Sequence, residues 1–170
     1  RWNGTVVFGG KGSTTDYGMR VPFIANWPGT IPPGLVSRDL VDSTDFFPTI
    51  CAAAGATVPS DLTIDGHNLL PQLRGERGDP RDWIYCWYAP EGGKRPVAEF
   101  ARSDRYKLYN DGRLFDVSQV DDDEHPIDAS QLNSDARAAR QALEQVLERF
   151  TSARPKGIVK AGKTLADTEE

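Results

Sequence analysis

The sequence predicts an α+β fold, in which a four-stranded antiparallel sheet is packed by one C-terminal helix. Four short runs rich in aromatic or β-branched residues predict the strands, and turn-forming residues separate three of them. The runs are residues 83–88, 97–102, 106–109 and 114–117. Over residues 134–151, apolar side chains recur at intervals of three and four, which predicts an amphipathic helix. Its apolar residues Leu143, Val146, Leu147 and Phe150 should pack on Phe100, Leu108 or Phe115.

The part of the chain before the sheet predicts a loop, one strand and two short helices. Residues 1–18 are rich in glycine and predict a loop, and the apolar run 20–27, which Pro28 ends, predicts a buried strand. Ser43 and Thr44 are expected to cap a helix that ends at residue 54. A second short helix is predicted over residues 68–73, and a frayed polar tail over 156–170.

Composition excludes two classes of partner. The 170 residues include 20 lysines and arginines against 25 aspartates and glutamates, so the net charge of −5 offers no basic field to a nucleic acid. No apolar run approaches the roughly 20 residues of a membrane-spanning helix. Cys51 and Cys86 are too few for a disulfide framework. Because the chain begins at Arg1 without a leader, we expect it to be a piece of a longer protein.

The segment with the clearest chemical character is G-G-K-G-S-T-T, residues 9–15. Its glycines allow backbone N–H groups to approach an anion, while Lys11 adds a positive charge and the hydroxyls add donors. A Walker A loop is excluded, because its template requires glycine at Thr5 and a hydroxyl residue at Gly12. Taken alone, the segment fits an oxyanion site and a glycine turn with a solvent-facing lysine equally well.

The acidic run and the two histidines are expected to lie at the surface or to have structural roles rather than to take part in catalysis. Residues 116–128 are rich in acidic side chains but lack the spacing of a calcium loop, so a solvated surface is favoured over a metal site. His67 is expected to have a surface or capping role. His125, within the acidic run, is expected to be a solvated histidine.

Four collinear stretches of the chain resemble the arylsulfatase-like sulfatase family of the alkaline phosphatase superfamily. Residues 11–29, K-G-S-T-T-D-Y-G-M-R-V-P-F-I-A-N-W-P-G, are similar to the family segment K-G-T-T-Y-E-G-G-x-R-x-P and its W-P-G turn. Residues 43–55 resemble the family's D-L-x-P-T helix, and residues 64–75 its D-G-x-x-L-x-P-L-L-x-G segment. Residues 103–109 and 113–118 resemble its paired strands Y-K-L and E-L-Y-D-L.

The resemblance implies a C-terminal fragment of an enzyme that hydrolyses sulfate esters. Residues 1–78 would end the catalytic domain, residues 79–155 would form the small sheet-plus-helix subdomain, and residues 156–170 the tail. Family members use a formylglycine, made from Cys or Ser in C-x-P-S-R or S-x-P-x-R, and a divalent cation, usually calcium. Neither motif occurs here. The resemblance therefore implies no metal site in this chain, calcium and formylglycine in the missing N-terminal part, and no activity for the chain alone.

The same resemblance implies roles for particular residues. Lys11 matches the family lysine that contacts sulfate, while Asp16 and Arg20 are expected either to position its loop or to form a structural ion pair. Candidates to face an anionic substrate are Tyr88, Lys94 and Arg95. The implied partners of the parent are a sulfate-ester small molecule or a sulfated glycan and the N-terminal part of the same protein, with self-association of the fragment. Family resemblance also favours a periplasmic or secreted location.

Two other functions stay open on sequence grounds. Phosphonate and phosphate monoester hydrolases of the same superfamily share the metal–carboxylate core, and the missing nucleophile segment would distinguish them from sulfatases. A noncatalytic interaction module is the other alternative, and it predicts no anion binding that depends on Lys11.

Overall fold

A computed structural model of the chain describes residues 9–90, 97–118 and 125–154, and these form two compact units. One unit contains the described residues up to Val21 and from Tyr85 onward, and the other is Pro22–Ile84. The structure therefore groups the glycine-rich loop with the sheet. The predicted division at residues 78 and 79 concerns the longer parent protein, and it stays a prediction.

The sheet has the predicted α+β arrangement. Its strands are β1, Ile84–Tyr88; β2, Ala98–Arg102; β3, Tyr106–Tyr109; and β4, Leu114–Asp116. They lie in the order β1-β2-β3-β4, and β3 is antiparallel to both β2 and β4. The helices are α1, Asp16–Met19; α2, Phe46–Ala53; α3, Leu70–Leu73; and α4, Ser134–Arg149. Short 3-10 helices occupy Ser43–Asp45, Ala129–Gln131 and Thr151–Ala153.

Helix α4 covers one face of the sheet, as predicted. It packs on β2 and β3 and buries Leu143, Val146 and Leu147. The next residue after α4, Phe150, stacks on Tyr85 with ring centroids 4.1 Å apart. The helix therefore supplies the apolar cover that its periodicity requires.

The register assigns the buried strand residues to two faces. Ala101 is opposite Leu108, on the face of Glu99, whose carboxylate pairs with Arg154 just beyond α4. Phe100 and Phe115, two of the predicted helix partners, lie on the other face, where they form a cluster with Tyr109 and Val117. Of the three alternative partners predicted for the helix, Leu108 is the one on the face of Glu99, because successive strand residues alternate in direction.

The start of α2 differs from the prediction in its capping residue. Asp42, rather than Ser43 or Thr44, caps the 3-10 turn Ser43–Asp45 that leads into α2, since its carboxylate accepts a hydrogen bond from the Thr44 N–H at 2.9 Å. The first residue of α2 follows Asp45, which makes no side-chain cap of its own. The Asp45 carboxylate in turn accepts from the Asp42 N–H at 2.7 Å, which completes a capping box. Two backbone donors at the helix entrance are thereby satisfied.

Two predictions for the N-terminal part need correction. The run 20–27 forms no strand, and Val21 and Ile24 are 75% and 88% exposed. A strand needs a neighbour to complete its hydrogen bonds, and no strand in the described part of the chain pairs with this run. The predicted loop contains one helical turn, α1. Residues 1–8 and the predicted tail, 156–170, lie outside the described residues.

Among the described residues, no helix combines the length and the apolar character needed to cross a bilayer.

The packing of α4 predicts the effect of a core truncation. Leu147 is 8% exposed, so Leu147→Ala is expected to lower the free energy of unfolding by about 2–5 kcal/mol through lost burial and a residual cavity. Gln145→Ala, at an exposed position of the same helix, is the matched control and should change stability by less than about 0.5 kcal/mol. Chemical denaturation measures both. Equal stabilities for the two variants would show that α4 is not docked through Leu147.

Candidate functional site

The glycine-rich segment is a closed loop held by its own hydrogen bonds. The backbone N–H and the hydroxyl of Ser13 donate to the carbonyl oxygen of Gly10 at 2.9 and 2.8 Å. The hydroxyls of Ser13 and Thr15 lie 2.8 Å apart, and the N–H groups of Gly18 and Met19 donate to the Thr15 carbonyl. The turn that carries Lys11 is thus followed directly by α1.

Glycine is required at two places where this loop folds against itself. A Cβ on Gly10 would lie 2.4 Å from the backbone carbonyl carbon of Tyr17, and one on Gly18 would lie 2.3 Å from the carbonyl oxygen of Ser13. Neither position can hold a larger residue without movement of the backbone. Tyr17 replaces a glycine of the resembling family segment, whereas the position with the tight backbone approach, Gly18, keeps its glycine.

Lys11 lies exposed within this turn, next to Gly12, which has a positive φ of 90°. The Tyr88 hydroxyl at the end of β1 lies 3.8 Å from where a Cβ of Gly12 would be. The structure therefore brings Tyr88 to the loop of Lys11. The other two candidates, Lys94 and Arg95, lie outside the described residues.

Asp16 and Arg20 lie in different surroundings. Asp16 is 3% exposed, and one of its carboxylate oxygens accepts a hydrogen bond from Arg102 Nη1 at 2.8 Å. Arg20 is exposed and follows α1 in an extended conformation, with its backbone N–H bonded to the Asp16 carbonyl. Arg102 of β2 and Lys107 of β3, whose Nζ lies 4.0 Å from Asp16 Oδ1, are both basic partners of the Asp16 side chain, and neither was predicted from the sequence.

A buried lysine of β3 also contacts the loop. Lys107 is 0% exposed, and its ammonium donates to the carbonyl oxygen of Thr14. The same Nζ lies 4.5 Å from the ring centroid of Phe100 and 5.3 Å from that of Tyr109, within the range of cation–π attraction. Lysine is rarely buried unless it is paired. The lysine inside the apolar run 106–109 was therefore the sequence feature that could have indicated a buried contact here.

The loop carries charges of both signs. Lys11 is an exposed positive charge, and the buried Asp16 carboxylate pairs with Arg102. Within residues 9–90, 97–118 and 125–154, no three histidine, cysteine or acidic side chains are grouped as metal ligands would be. Calcium and formylglycine in the longer parent stay predictions.

The second unit has a buried ion pair of its own. Arg81 and Asp45 are joined through two pairs of atoms, one of them Arg81 Nε to Asp45 Oδ2 at 3.0 Å, and their side chains are 4% and 0% exposed. Burial alone raises the pKa of Asp45. The hydrogen bonds from Arg81 and from the backbone of Asp42 and His67 outweigh this, so the pKa lies below its ordinary value of 3.8.

The two histidines belong to different units, His67 to the second unit and His125 to the unit that contains the sheet. His67 gives its backbone N–H to Asp45 at 2.7 Å, and its ring Nδ1 lies 3.1 Å from the Asp79 carbonyl oxygen within the second unit. His125 is exposed. These positions agree with structural and solvated roles.

Comparison with known proteins identifies the class of the chain. The family model described as N-sulphoglucosamine sulphohydrolase, C-terminal, matches residues 10–153. Bovine arylsulfatase A is 43% identical over 101 residues, which cover 59% of this chain and 19% of that enzyme. Human N-acetylgalactosamine-6-sulfatase is 52% identical over 64 residues, which cover 38% of this chain and 12% of that enzyme.

A solved structure shares the fold. The structure of BT4656 in complex with its substrate D-glucosamine-2-N,6-O-disulfate has a TM-score of 0.52 and 24% sequence identity, and the match covers 65% of this chain and 24% of that one. The chain thus resembles the C-terminal region of sulfatases and spans about a fifth or less of the curated relatives named above. It belongs to the N-sulphoglucosamine sulphohydrolase C-terminal family.

Proposed function

We propose that the chain is the C-terminal part of a sulfatase whose complete form hydrolyses sulfate esters, and that Lys11 binds the sulfate group there. The observation that carries this proposal is an exposed lysine within a closed loop, in a segment that the family model includes. Contacts from Thr14 and Asp16 to the sheet hold in place the loop that carries Lys11. The backbone that carries the charge is therefore ordered before substrate arrives.

The contribution of Lys11 would be electrostatic. A sulfate ester carries negative charge on its nonbridging oxygens, and the bridging oxygen gains negative charge as the S–O bond breaks. A cation already aimed at these oxygens stabilises the transition state without reorganisation during the reaction. Formylglycine and calcium, supplied by the rest of the parent, would provide the nucleophile and further charge neutralisation. The residues of this chain hold the sulfate and do not replace either group.

The substrate class is a sulfated small molecule or a sulfated glycan. Two named relatives are an arylsulfatase and an N-acetylgalactosamine-6-sulfatase, and BT4656 binds a sulfated glucosamine. Tyr88, beside Gly12, would contact the part of the substrate that carries the sulfate. Lys94 and Arg95 are proposed to contribute further positive charge. A periplasmic or secreted location of the parent is part of the same proposal.

Exposed apolar side chains support the existence of an additional catalytic portion. In the second unit, Ile24, Val36 and Ile50 are 88%, 81% and 66% exposed, and Phe23, itself 45% exposed, stacks on Phe46. Large apolar surfaces on a soluble domain mark interaction sites. The rest of the catalytic domain would cover them in the parent, and the chain alone would self-associate through them.

A turnover assay tests the proposed function. The 170-residue chain is expected to give no hydrolysis of a chromogenic aryl sulfate, because Lys11 alone cannot supply a nucleophile. The complete parent is expected to hydrolyse it and to prefer it over the matching aryl phosphate. Turnover by the chain alone would contradict the fragment interpretation. A parent that prefers the phosphate ester would be a phosphomonoester hydrolase instead.

A further inference from the structure

We propose that Lys107 is a positioning residue for Lys11, acting through the loop 10–19, and that it does so together with Arg102 and Tyr109. We call these three side chains of β2 and β3 the loop clamp. This inference rests on the proposed sulfate-binding role of Lys11 and names the residues that set its position. No member of the clamp is proposed to touch the substrate.

The clamp contacts the loop at two successive places. At Thr14, the Lys107 ammonium donates to the carbonyl oxygen, and the Tyr109 hydroxyl lies 3.2 Å from that oxygen and 3.0 Å from Thr14 Oγ1. At Asp16, Arg102 donates at 2.8 Å, and Lys107 Nζ lies 4.0 Å from the same carboxylate oxygen. One side of the loop is therefore held by charge-assisted hydrogen bonds in a site with little access to water.

The charge of Lys107 indicates that its contact with the loop does more than fill space in the sheet. A fully buried ammonium group has a large desolvation cost unless acceptors and opposite charges surround it. A methionine or leucine could fill a strand position between aromatic rings without that cost. Lysine adds a directed bond to a backbone carbonyl, and the carbonyl it binds belongs to the loop that carries Lys11.

Movement of Thr14 would be passed to Lys11 because the intervening turn is closed. Ser13, next to Thr14, bonds to Gly10 through both its backbone N–H and its hydroxyl, and Gly18 packs against the Ser13 carbonyl. The turn that carries Lys11 therefore moves together with Thr14, which the loop clamp holds. A displacement of about 1 Å in a group that contacts the reacting atoms can reduce the rate by about 10²-fold.

Amide hydrogen exchange on the 170-residue chain tests the clamp without any activity. Tyr109→Phe removes only the hydroxyl that reaches Thr14, and Lys107→Met removes the ammonium while keeping an unbranched side chain. Both are expected to accelerate exchange of the Ser13, Gly18 and Met19 amides at least tenfold, with α4 amides unchanged in Tyr109→Phe. Unchanged loop exchange in Tyr109→Phe and in a folded Lys107→Met would overturn the clamp.

A double-mutant cycle in the complete parent tests whether the clamp acts through Lys11. Lys107→Met is expected to lower kcat at least tenfold in the wild-type background and to have little further effect in the Lys11→Ala background. A purely structural role would give the same loss in both backgrounds and would overturn the positioning role. If Lys11→Ala alone leaves kcat unchanged, the proposed sulfate contact is wrong, while hydrogen exchange still decides the clamp. Where Lys107→Met does not fold, Tyr109→Phe takes its place in the cycle.

Discussion

Lys11→Ala in the complete parent is expected to lower kcat for an aryl sulfate by about 10²–10³-fold, the scale seen when one preorganised charge-stabilising group is removed. The fold should be unaffected, because Lys11 is exposed and the loop is closed by Ser13 and anchored by Thr14 and Asp16. Steady-state kinetics measure the loss, and circular dichroism checks the fold.

The control for this prediction removes a positive charge elsewhere. Arg137→Ala changes net charge by the same amount at an exposed position of α4 and is expected to leave kcat within about twofold of wild type. An equal loss in both variants would attribute the effect to overall charge. A Lys11→Ala parent with unimpaired kcat would exclude the sulfate contact.

Local patterns predicted the sheet and its covering helix well. The strand positions follow from short β-branched and aromatic runs between turns, and α4 follows from apolar spacing, since both signals lie within a few residues of the element they describe. The strand predicted over residues 20–27 was wrong. Apolar character indicates only burial, whereas a strand also needs a neighbouring strand for its backbone hydrogen bonds. Among the described residues that neighbour is missing.

The loop itself was predictable, but its anchors were not. The glycines and Lys11 are contiguous in the sequence, so their anion-binding character is visible there. Arg102 lies 86 residues from Asp16, and Lys107 lies 93 residues from Thr14. Such contacts depend on the strand register and on which face of the sheet the loop packs against, and neither follows from local spacing. A charged residue inside an apolar strand indicates that a partner exists but does not identify it.

The buried ion pair of the second unit predicts the largest loss of stability. Arg81→Met is expected to lower the free energy of unfolding of that unit by about 3–5 kcal/mol, because it leaves the Asp45 carboxylate buried without its cation. The variant also removes the hydrogen bond from Arg81 to the Trp83 carbonyl. Chemical denaturation followed by tryptophan fluorescence measures the change.

An exposed ion pair and the pH dependence of stability provide the controls for this prediction. Arg105→Met breaks the exposed pair with Asp116, whose side chains are 49% and 27% exposed, and should cost at most about 1 kcal/mol. The pKa of Asp45 is lowered in the folded state, so its pairing stabilises the fold above the ordinary value of 3.8 and is lost as the pH falls through the folded pKa. The difference between wild type and Arg81→Met should therefore shrink below that pH. Equal losses for Arg81→Met and Arg105→Met, or a difference that grows on acidification, would contradict a structural role for the buried pair.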